Sequence, residues 1–352
     1  MNLPAKNLNL DLDIPAADDV PSLQDIVRPI ARQIGAVEDV LESFCAANEG
    51  VLKDSCGYIL LGGGKRIRAS IVLFSYYMKS FTGKTENEMR GGRREESAVS
   101  IAAAVELIHS ATLVHDDLID RSVLRRLKAT VQVHFGDDLA VLLGDYLYAK
   151  AFEIIANAGD KEIASWMAGV ARVMCEGEIA QINNRYRADV SEHEYFSIIE
   201  KKTASLISVC ARSGARLAGM SLSEQENLAS FGLNLGISFQ IVDDILDILG
   251  SEKRTGKTLH TDTESGKMTL PLMILARELD NEDKNIFLKN FRAGTISPES
   301  LRSLAVEYNI AQKARMYADE YYKKALMCID NFDNPVKGSL IDLSRFILKR
   351  DY

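Results

Sequence analysis

Residues His115-Asp116-Asp117-Leu118-Ile119-Asp120 place three acids in six positions, directly after an apolar run with helical spacing. On a helix, residues four apart share a face. Asp116 and Asp120 therefore point the same way, one turn apart, with Asp117 rotated to the side. Without a counter-charge each such pair costs about 0.2–0.5 kcal/mol on an open surface, and more when desolvated. A hard divalent cation reverses the sign, because Mg²⁺ takes carboxylate oxygens and fills its other positions with waters or phosphate oxygens. The pattern recurs as Asp243-Asp244-Ile245-Leu246-Asp247. The expectation is that the two motifs face each other across a cleft and hold a diphosphate between them through metal ions.

Cationic residues accompany both motifs. Gly62-Gly63-Gly64-Lys65-Arg66-Ile67-Arg68 sets Lys65 and Arg68 three apart, so both can address one anion where a helix starts. It is not a Walker loop, since the glycine spacing and the hydroxyl residue after the lysine are absent. Arg125 and Arg126 follow the first motif, Lys257 and Lys267 follow the second, and Lys201, Lys202 and Thr203 lie between them. Two anionic groups can be served: Lys65, Arg68 and Arg126 for one diphosphate, and metals with Arg125, Lys202, Lys257 and Lys267 for another. Metal ions and cations around a diphosphate stabilise it as a leaving group. No Ser-His-Asp or Cys-His set is evident, and none is needed if the diphosphate departs to give a carbocation. A His115-Asp116 phosphohydrolase pair would need further histidine ligands, and the five histidines are poorly placed to supply them.

The elements that must carry these groups read as helices. Residues 1–20 look like a flexible tail. Ser22 can cap a helix with Asp25 three residues on. From Leu23 to Leu61 apolar residues recur at three- and four-residue spacing, an amphipathic pattern. Helices are expected over Ile71–Phe81, Ser97–Asp120, Gly136–Ala156, Trp166–Tyr186, Tyr195–Ala218 and Leu222–Gly250. Polar stretches Thr82–Glu96 and Ser251–Lys267 read as loops. From Leu270 the chain is helical to its end, broken near Gly294–Pro298 and Pro335. Strand signals are scarce, with no sustained alternation and no Asn-Gly or Asp-Gly turn. The expectation is an all-α bundle over residues 21–352 with a central catalytic cleft whose apolar walls suit a hydrocarbon chain.

The totals agree. The chain has 352 residues, enough for a large core, and a net charge of −8, which argues against nucleic acid as a partner. Five scattered cysteines without metal or redox spacing read as reduced thiols in a cytoplasmic protein. The first residues resemble neither a signal nor a transit peptide, and no apolar run is expected to reach bilayer-spanning length.

Taken together, the two aspartate motifs, the Gly-Gly-Lys-x-x-Arg run and the Lys202-Thr203 pair resemble the trans-isoprenyl diphosphate synthases, or polyprenyl synthetases, from about Gly62 to Tyr352. Cys175-Glu176-Gly177-Glu178-Ile179 and the ending Lys349-Arg350-Asp351-Tyr352 look like the medium- and long-chain members, in particular the catalytic component of heptaprenyl diphosphate synthases. The resemblance implies an isoprenoid-synthase fold, Mg²⁺ dependence, and head-to-tail condensation of isopentenyl diphosphate onto an allylic diphosphate. By position it implies Asp116, Asp120, Asp243 and Asp247 as metal ligands, with Asp117 and Asp244 as weaker or indirect ones. Lys65, Arg68, His109 and Arg126 would bind isopentenyl diphosphate; Arg125, Lys202, Lys257 and Lys267 would bind the allylic diphosphate. Thr203 and Gln240 would line the carbocation site, where their dipoles stabilise positive charge. A homodimer is implied, and an unlike regulatory subunit is compatible with the subgroup.

The chain departs from the family's Arg-Arg-Gly-x-Pro-Thr with Arg125-Arg126-Leu127-Lys128-Ala129-Thr130, and carries Ala69 where a proline is usual. These changes alter loop stiffness and remove no charge. A growing product must run along the helix before Asp116, past Thr112, Ala111 and Ile108. Short-chain members block that path with aromatics just before the motif; here it looks open, which favours a heptaprenyl or octaprenyl product over farnesyl or geranylgeranyl. A terpene cyclase would lack the Gly-Gly-Lys-x-x-Arg run, and an inactive subunit would have lost motif acids.

Overall fold

Ser22 accepts a hydrogen bond from the Asp25 backbone N–H and starts α1 (Leu23–Val27), as its spacing predicts. The computed structural model describes residues 20–80, 92–125, 127–250 and 261–349. The expected tail up to residue 19, Arg126, Lys257 and the last three residues of the chain lie outside them. The single amphipathic stripe expected over Leu23–Leu61 is divided. Pro29 lies in a 3-10 turn over Arg28–Ile30, followed by α2 (Ala31–Ala46) and α3 (Gly50–Leu60). Proline lacks the N–H that would continue the first helix, and Gly50 enters the third with φ +55°.

The glycine-rich run then turns the chain into α4 (Ile67–Ser80). Within the run, Arg66 adopts φ +46° and buries its guanidinium. Nε and Nη2 lie 2.6 and 2.8 Å from the Glu38 carboxylate, Nη2 donates to the Leu60 carbonyl at 2.7 Å, and Nη1 is 3.7 Å from Glu106. One side chain thus ties α2, α3 and the long helix α5 (Arg93–Ile119) to the loop that carries Lys65 and Arg68.

Helix α5 starts four residues before the expected Ser97, inside the stretch read as loop. It is long and apolar enough by length and composition to cross a membrane, against the expectation that no run would be. Its apolar residues are spread around the whole circumference because α4, α7, α2 and α10 cover it on several sides, and most of it is buried inside the protein. A hairpin the sequence did not announce follows, with β1 (Leu124–Arg125) paired antiparallel to β2 (Lys128–Ala129). Next come α6 (Val131–Phe135), α7 (Asp137–Asn157) and α8 (Lys161–Asn183). Asp160 caps α8, so it begins five residues before the expected Trp166. Ser191 and Glu194 form a capping box that starts α9 (Glu192–Ile199). A π-helical turn over Glu200–Ala204 leads into α10 (Ser205–Leu217), and a second capping box at Ser221 and Glu224 starts α11 (Leu222–Leu249).

After the short α12 (Thr261–Glu264), helices α13 (Leu270–Glu278), α14 (Asn281–Ala293), α15 (Pro298–Glu307), α16 (Ile310–Cys328) and α17 (Pro335–Leu348) complete the described chain. Breaks fall where Gly294, Pro298 and Pro335 predict them, and two more that were not expected fall at Leu279–Asp280, where Asp280 caps α14, and at Tyr308–Asn309, where Asn309 is left-handed. The long helices pack in the order α7, α5, α4, α10, α11, α16, and α8 closes the group by touching both α7 and α10. One apolar cluster runs from Ile26 to Leu348. Among the described residues the architecture is all-α apart from the one small hairpin.

Candidate active site

Both acidic motifs lie at the C-terminal ends of long helices. Asp116 and Asp117 occupy the last turn of α5 and Asp120 is its C-cap; Asp243, Asp244 and Asp247 occupy the last two turns of α11. Neither final turn contains a basic residue. The helix dipole puts partial negative charge at these ends, so the acids are opposed by their own backbones as well as by each other. The compensating charge must come from elsewhere in the fold.

For the first motif it comes from three directions. Arg125, presented by the hairpin, makes two bonds to Asp117, at 2.6 and 2.7 Å. Gln132 staples that hairpin by donating to the carbonyls of Asp117 (2.9 Å) and Ser122 (2.6 Å). Asp117 is 3% exposed, and burial raises its pKa above the ordinary carboxylate range even with Arg125 opposing the shift. Asp120 is held by Arg185 at 2.9 Å and Lys267 at 2.7 Å. Burial acts to raise its pKa, but Lys267, Lys202 and Arg185 outweigh burial and hold it below the usual value. Lys202 lies 3.5 Å from Asp116, pairs with Glu178, and donates to Gln181 at 3.0 Å.

The same cations reach the second motif. Lys267 also contacts Asp262 at 3.2 Å, and the Asp262 backbone N–H donates to Asp247 at 3.2 Å. Asp120, Lys267, Asp262 and Asp247 therefore form a continuous polar link between the motifs. Arg125 lies in the field of Asp116 and Asp243 as well as of Asp117. Asp244 is buried; it accepts from Tyr195 Oη at 2.7 Å and from Gln240 Nε2 at 2.8 Å. Burial first, and the nearby carboxylate of Asp262 next, push its carboxyl up to about 8. Lys202, Thr203, Gln240, Asp244, Asp262 and Lys267 line one cavity, and Ile198, Ile199 and Met268 supply apolar wall.

Local backbone geometry places the lysine and threonine. The Ser205 N–H reaches back five residues to the Glu200 carbonyl, which widens the turn that carries Lys202 and Thr203. Two glycines make room for it. A Cβ at Gly177 of α8 would lie 2.9 Å from the Lys202 nitrogen, and one at Gly236 of α11 would lie 2.5 Å from Ala204 Cα. These are backbone or near-backbone contacts, so any larger residue must displace the turn.

Other expected residues are placed as follows. Lys65 is exposed, with its ammonium 4.8 Å from the Phe346 ring centroid; Arg68, in the first turn of α4, is half-buried in the neighbourhood of Cys210. His109 is half-buried on α5. Ile108 and Ala111 are fully buried, and Thr112, one turn before Asp116, is half-buried and donates to the His109 carbonyl at 2.7 Å. His115 turns away from the acids: its ring packs against Gly144, with Nε2 3.2 Å from the Val141 carbonyl. This removes the His-Asp phosphohydrolase alternative.

The sequence did not single out Glu178, Arg185, Tyr195 or Asp262, whose partners are distant in the chain. Tyr186, at φ +60°, clasps the segment that carries Lys267, donating from its N–H to Gly266 and from its hydroxyl to Glu264, each at 2.7 Å.

Among the described residues no three His, Cys, Asp or Glu side chains converge as a metal cluster, because lysines and arginines stand between the acids. The donor set still suits a hard cation. The motifs offer only carboxylate oxygens, and the carboxylates of Asp262 and Asp243 both act on buried Asp244.

Comparison with known proteins agrees with this arrangement. The profile of the family described as polyprenyl synthetase matches residues 49–308. The geranylgeranyl diphosphate synthase of Sulfolobus acidocaldarius is 34% identical over 330 residues, covering 90% of this chain and 96% of that one. Component 2 of the heptaprenyl diphosphate synthase of Geobacillus stearothermophilus is 34% identical over 327 residues, covering 92% and 97%. Among solved structures, the polyprenyl synthase of Caulobacter crescentus, complexed with calcium and isoprenyl diphosphate, superposes with a TM-score of 0.87 at 27% identity, covering 96% of this chain and 99% of that one. With matching sequence along most of its length and a matching arrangement of helices, this chain belongs to the polyprenyl synthetase family of prenyltransferases.

Proposed function

We propose that this enzyme condenses isopentenyl diphosphate head-to-tail with an allylic diphosphate to build a medium- or long-chain all-trans polyprenyl diphosphate. The observation that carries the reading is the polar link between the two aspartate motifs, with Lys202 and Lys267 beside a partly apolar cavity. Asp116, Asp120, Asp243 and Asp247 would hold divalent cations, magnesium being favoured by an all-carboxylate set. When bound, these ions neutralise the allylic diphosphate and make it a better leaving group. Arg125, Lys202 and Lys267, with Lys257, bind that diphosphate; Lys65, Arg68, His109 and Arg126 bind isopentenyl diphosphate. The allylic C–O bond breaks with both electrons going to the diphosphate. Thr203 and Gln240 turn their oxygens toward the cation that remains, the isopentenyl double bond attacks it, and the released diphosphate takes the proton lost from the adduct.

Radiolabelled isopentenyl diphosphate supplied with an allylic primer and Mg²⁺ tests the reaction. Label in a longer chain supports it; release of diphosphate without incorporation favours an ionisation-only enzyme, and no turnover with or without a candidate partner favours a non-catalytic subunit.

Product length follows from the wall of α5. Neither Ala111 nor Thr112 is aromatic, which favours heptaprenyl or octaprenyl product. Ala111→Phe is expected to shift the product toward geranylgeranyl or shorter, read by chromatography of the dephosphorylated alcohols; an unchanged distribution would refute the assignment of the tunnel.

A cytoplasmic homodimer is part of the proposal. Val123, Leu124 and Leu127 on the hairpin, with Val133 and Leu142 nearby in sequence on α6 and α7, are exposed apolar side chains of the kind a second copy covers. Sedimentation of the purified chain as a monomer at assay concentration would contradict this.

A further inference from the structure

Tyr195 has no place in the chemistry described above, yet its phenol is buried and aimed into the site. The ring is 4% exposed and meets Phe196 edge-on at 5.3 Å, while Phe196 in turn contacts Tyr317 and Tyr321 of α16. Its hydroxyl donates to one oxygen of Asp244 at 2.7 Å. The other oxygen accepts from Gln240 Nε2 at 2.8 Å, and Gln240 Oε1 accepts from the Thr203 hydroxyl at 2.8 Å. In this geometry the phenol and the carboxamide NH₂ both donate to Asp244, one to each oxygen. A carboxamide whose nitrogen is committed to Asp244 has its oxygen fixed on the opposite side, toward Thr203 and the cavity that both residues line.

We infer that Tyr195 is a positioning residue that fixes the orientation of the Gln240 carboxamide through Asp244, so that the oxygen and not the NH₂ group faces the allylic cation. The phenol suits this task. Its hydroxyl reaches Asp244 from a ring held in place by Phe196. It also approaches from α9, so the clamp on Asp244 comes from outside the helix that carries Asp244 and Gln240. Without it, Asp244 gains rotational freedom and the amide can turn over, presenting two N–H dipoles to a positive centre where an oxygen is needed. The inference rests on the prenyl-transfer reading given above.

The test is a double-mutant cycle on the full chain with Tyr195→Phe and Gln240→Leu, measuring kcat and both KM values, with thermal melting as a control. Tyr195→Phe keeps the ring and its aromatic contacts. It is expected to lower kcat about tenfold or more while leaving the KM for isopentenyl diphosphate unchanged, in line with the loss of one oriented dipole at the reacting centre. In the Gln240→Leu background the same change is expected to cost less than twofold. Wild-type kcat in Tyr195→Phe, an effect on KM alone, or an equal loss in both backgrounds would overturn the inference. Should Tyr195→Phe fail to fold, Tyr195→Met replaces it: it too leaves Asp244 without the phenol donor, so kcat should fall with the isopentenyl KM retained, and a retained kcat would count against the inference. If the wild-type chain itself does not extend the primer, the functional reading has failed; if it does and the variants match it, only the role of Tyr195 has.

Discussion

Replacing Asp243 with asparagine is expected to lower kcat by at least about 10³-fold while leaving the protein folded. Asparagine keeps the shape and removes the charge. Asp243 sits half-buried in the last turns of α11, whose own final turn carries no basic residue, with Arg125 of the hairpin in its field. The helix dipole opposes the charge by roughly 0.3–1 kcal/mol and Arg125 offsets part of that, so its loss should leave the melting temperature nearly unchanged. A group that weakens its own helix and yet is needed for turnover is held there by chemistry. Steady-state turnover with Mg²⁺ and a thermal melt on the same preparation check both halves. A variant within tenfold of wild type would show that the second motif is not part of the reacting centre.

The second large effect concerns stability. Asp117→Ala is expected to destabilise the protein by about 3–5 kcal/mol, because it strands the Arg125 guanidinium without its two carboxylate bonds in a low-dielectric site. Asp117 has 4% of its side chain exposed and Arg125 29%. The loss reaches the hairpin, since the only strand pairing among the described residues is the two-residue ladder that holds Arg125. The double variant Asp117→Ala with Arg125→Met should regain most of the stability, as no unpaired charge remains. Denaturant unfolding of the three proteins checks this; a single-variant loss below about 1 kcal/mol would mean that solvent reaches and screens the pair.

The acid motifs were legible because their four-residue spacing is a local signal that costs energy wherever it stands on a helix. Helix boundaries at Ser22, Gly294, Pro298 and Pro335 were legible for the same reason: capping and breaking act within a few residues. What was missed depends on partners far along the chain. Arg66 stands between Lys65 and Arg68 with nothing in the local sequence to set it apart, yet Glu38 and Glu106, far off in sequence, bind it. The hairpin strands have two residues each, too short for an alternation to show. Its turn uses Leu127 at φ +61° in place of the glycine that would have announced it. The π-helical turn has no composition of its own and is made possible by Gly177 and Gly236 on other helices. Helix α5 defeated the membrane expectation because a helix covered on several sides by protein needs much the same composition as one surrounded by lipid.

The central claim is that two carboxylate motifs, far apart in sequence, close through divalent cations around one diphosphate. Titration calorimetry of inorganic pyrophosphate, with and without Mg²⁺, on the wild-type chain and on Asp116→Asn and Asp243→Asn separately, tests it most directly. The account predicts binding that requires Mg²⁺ and that weakens at least about tenfold in either variant alone, each removing one wall of the same site. Binding that persists in EDTA, or that survives unchanged in either single variant, would contradict it.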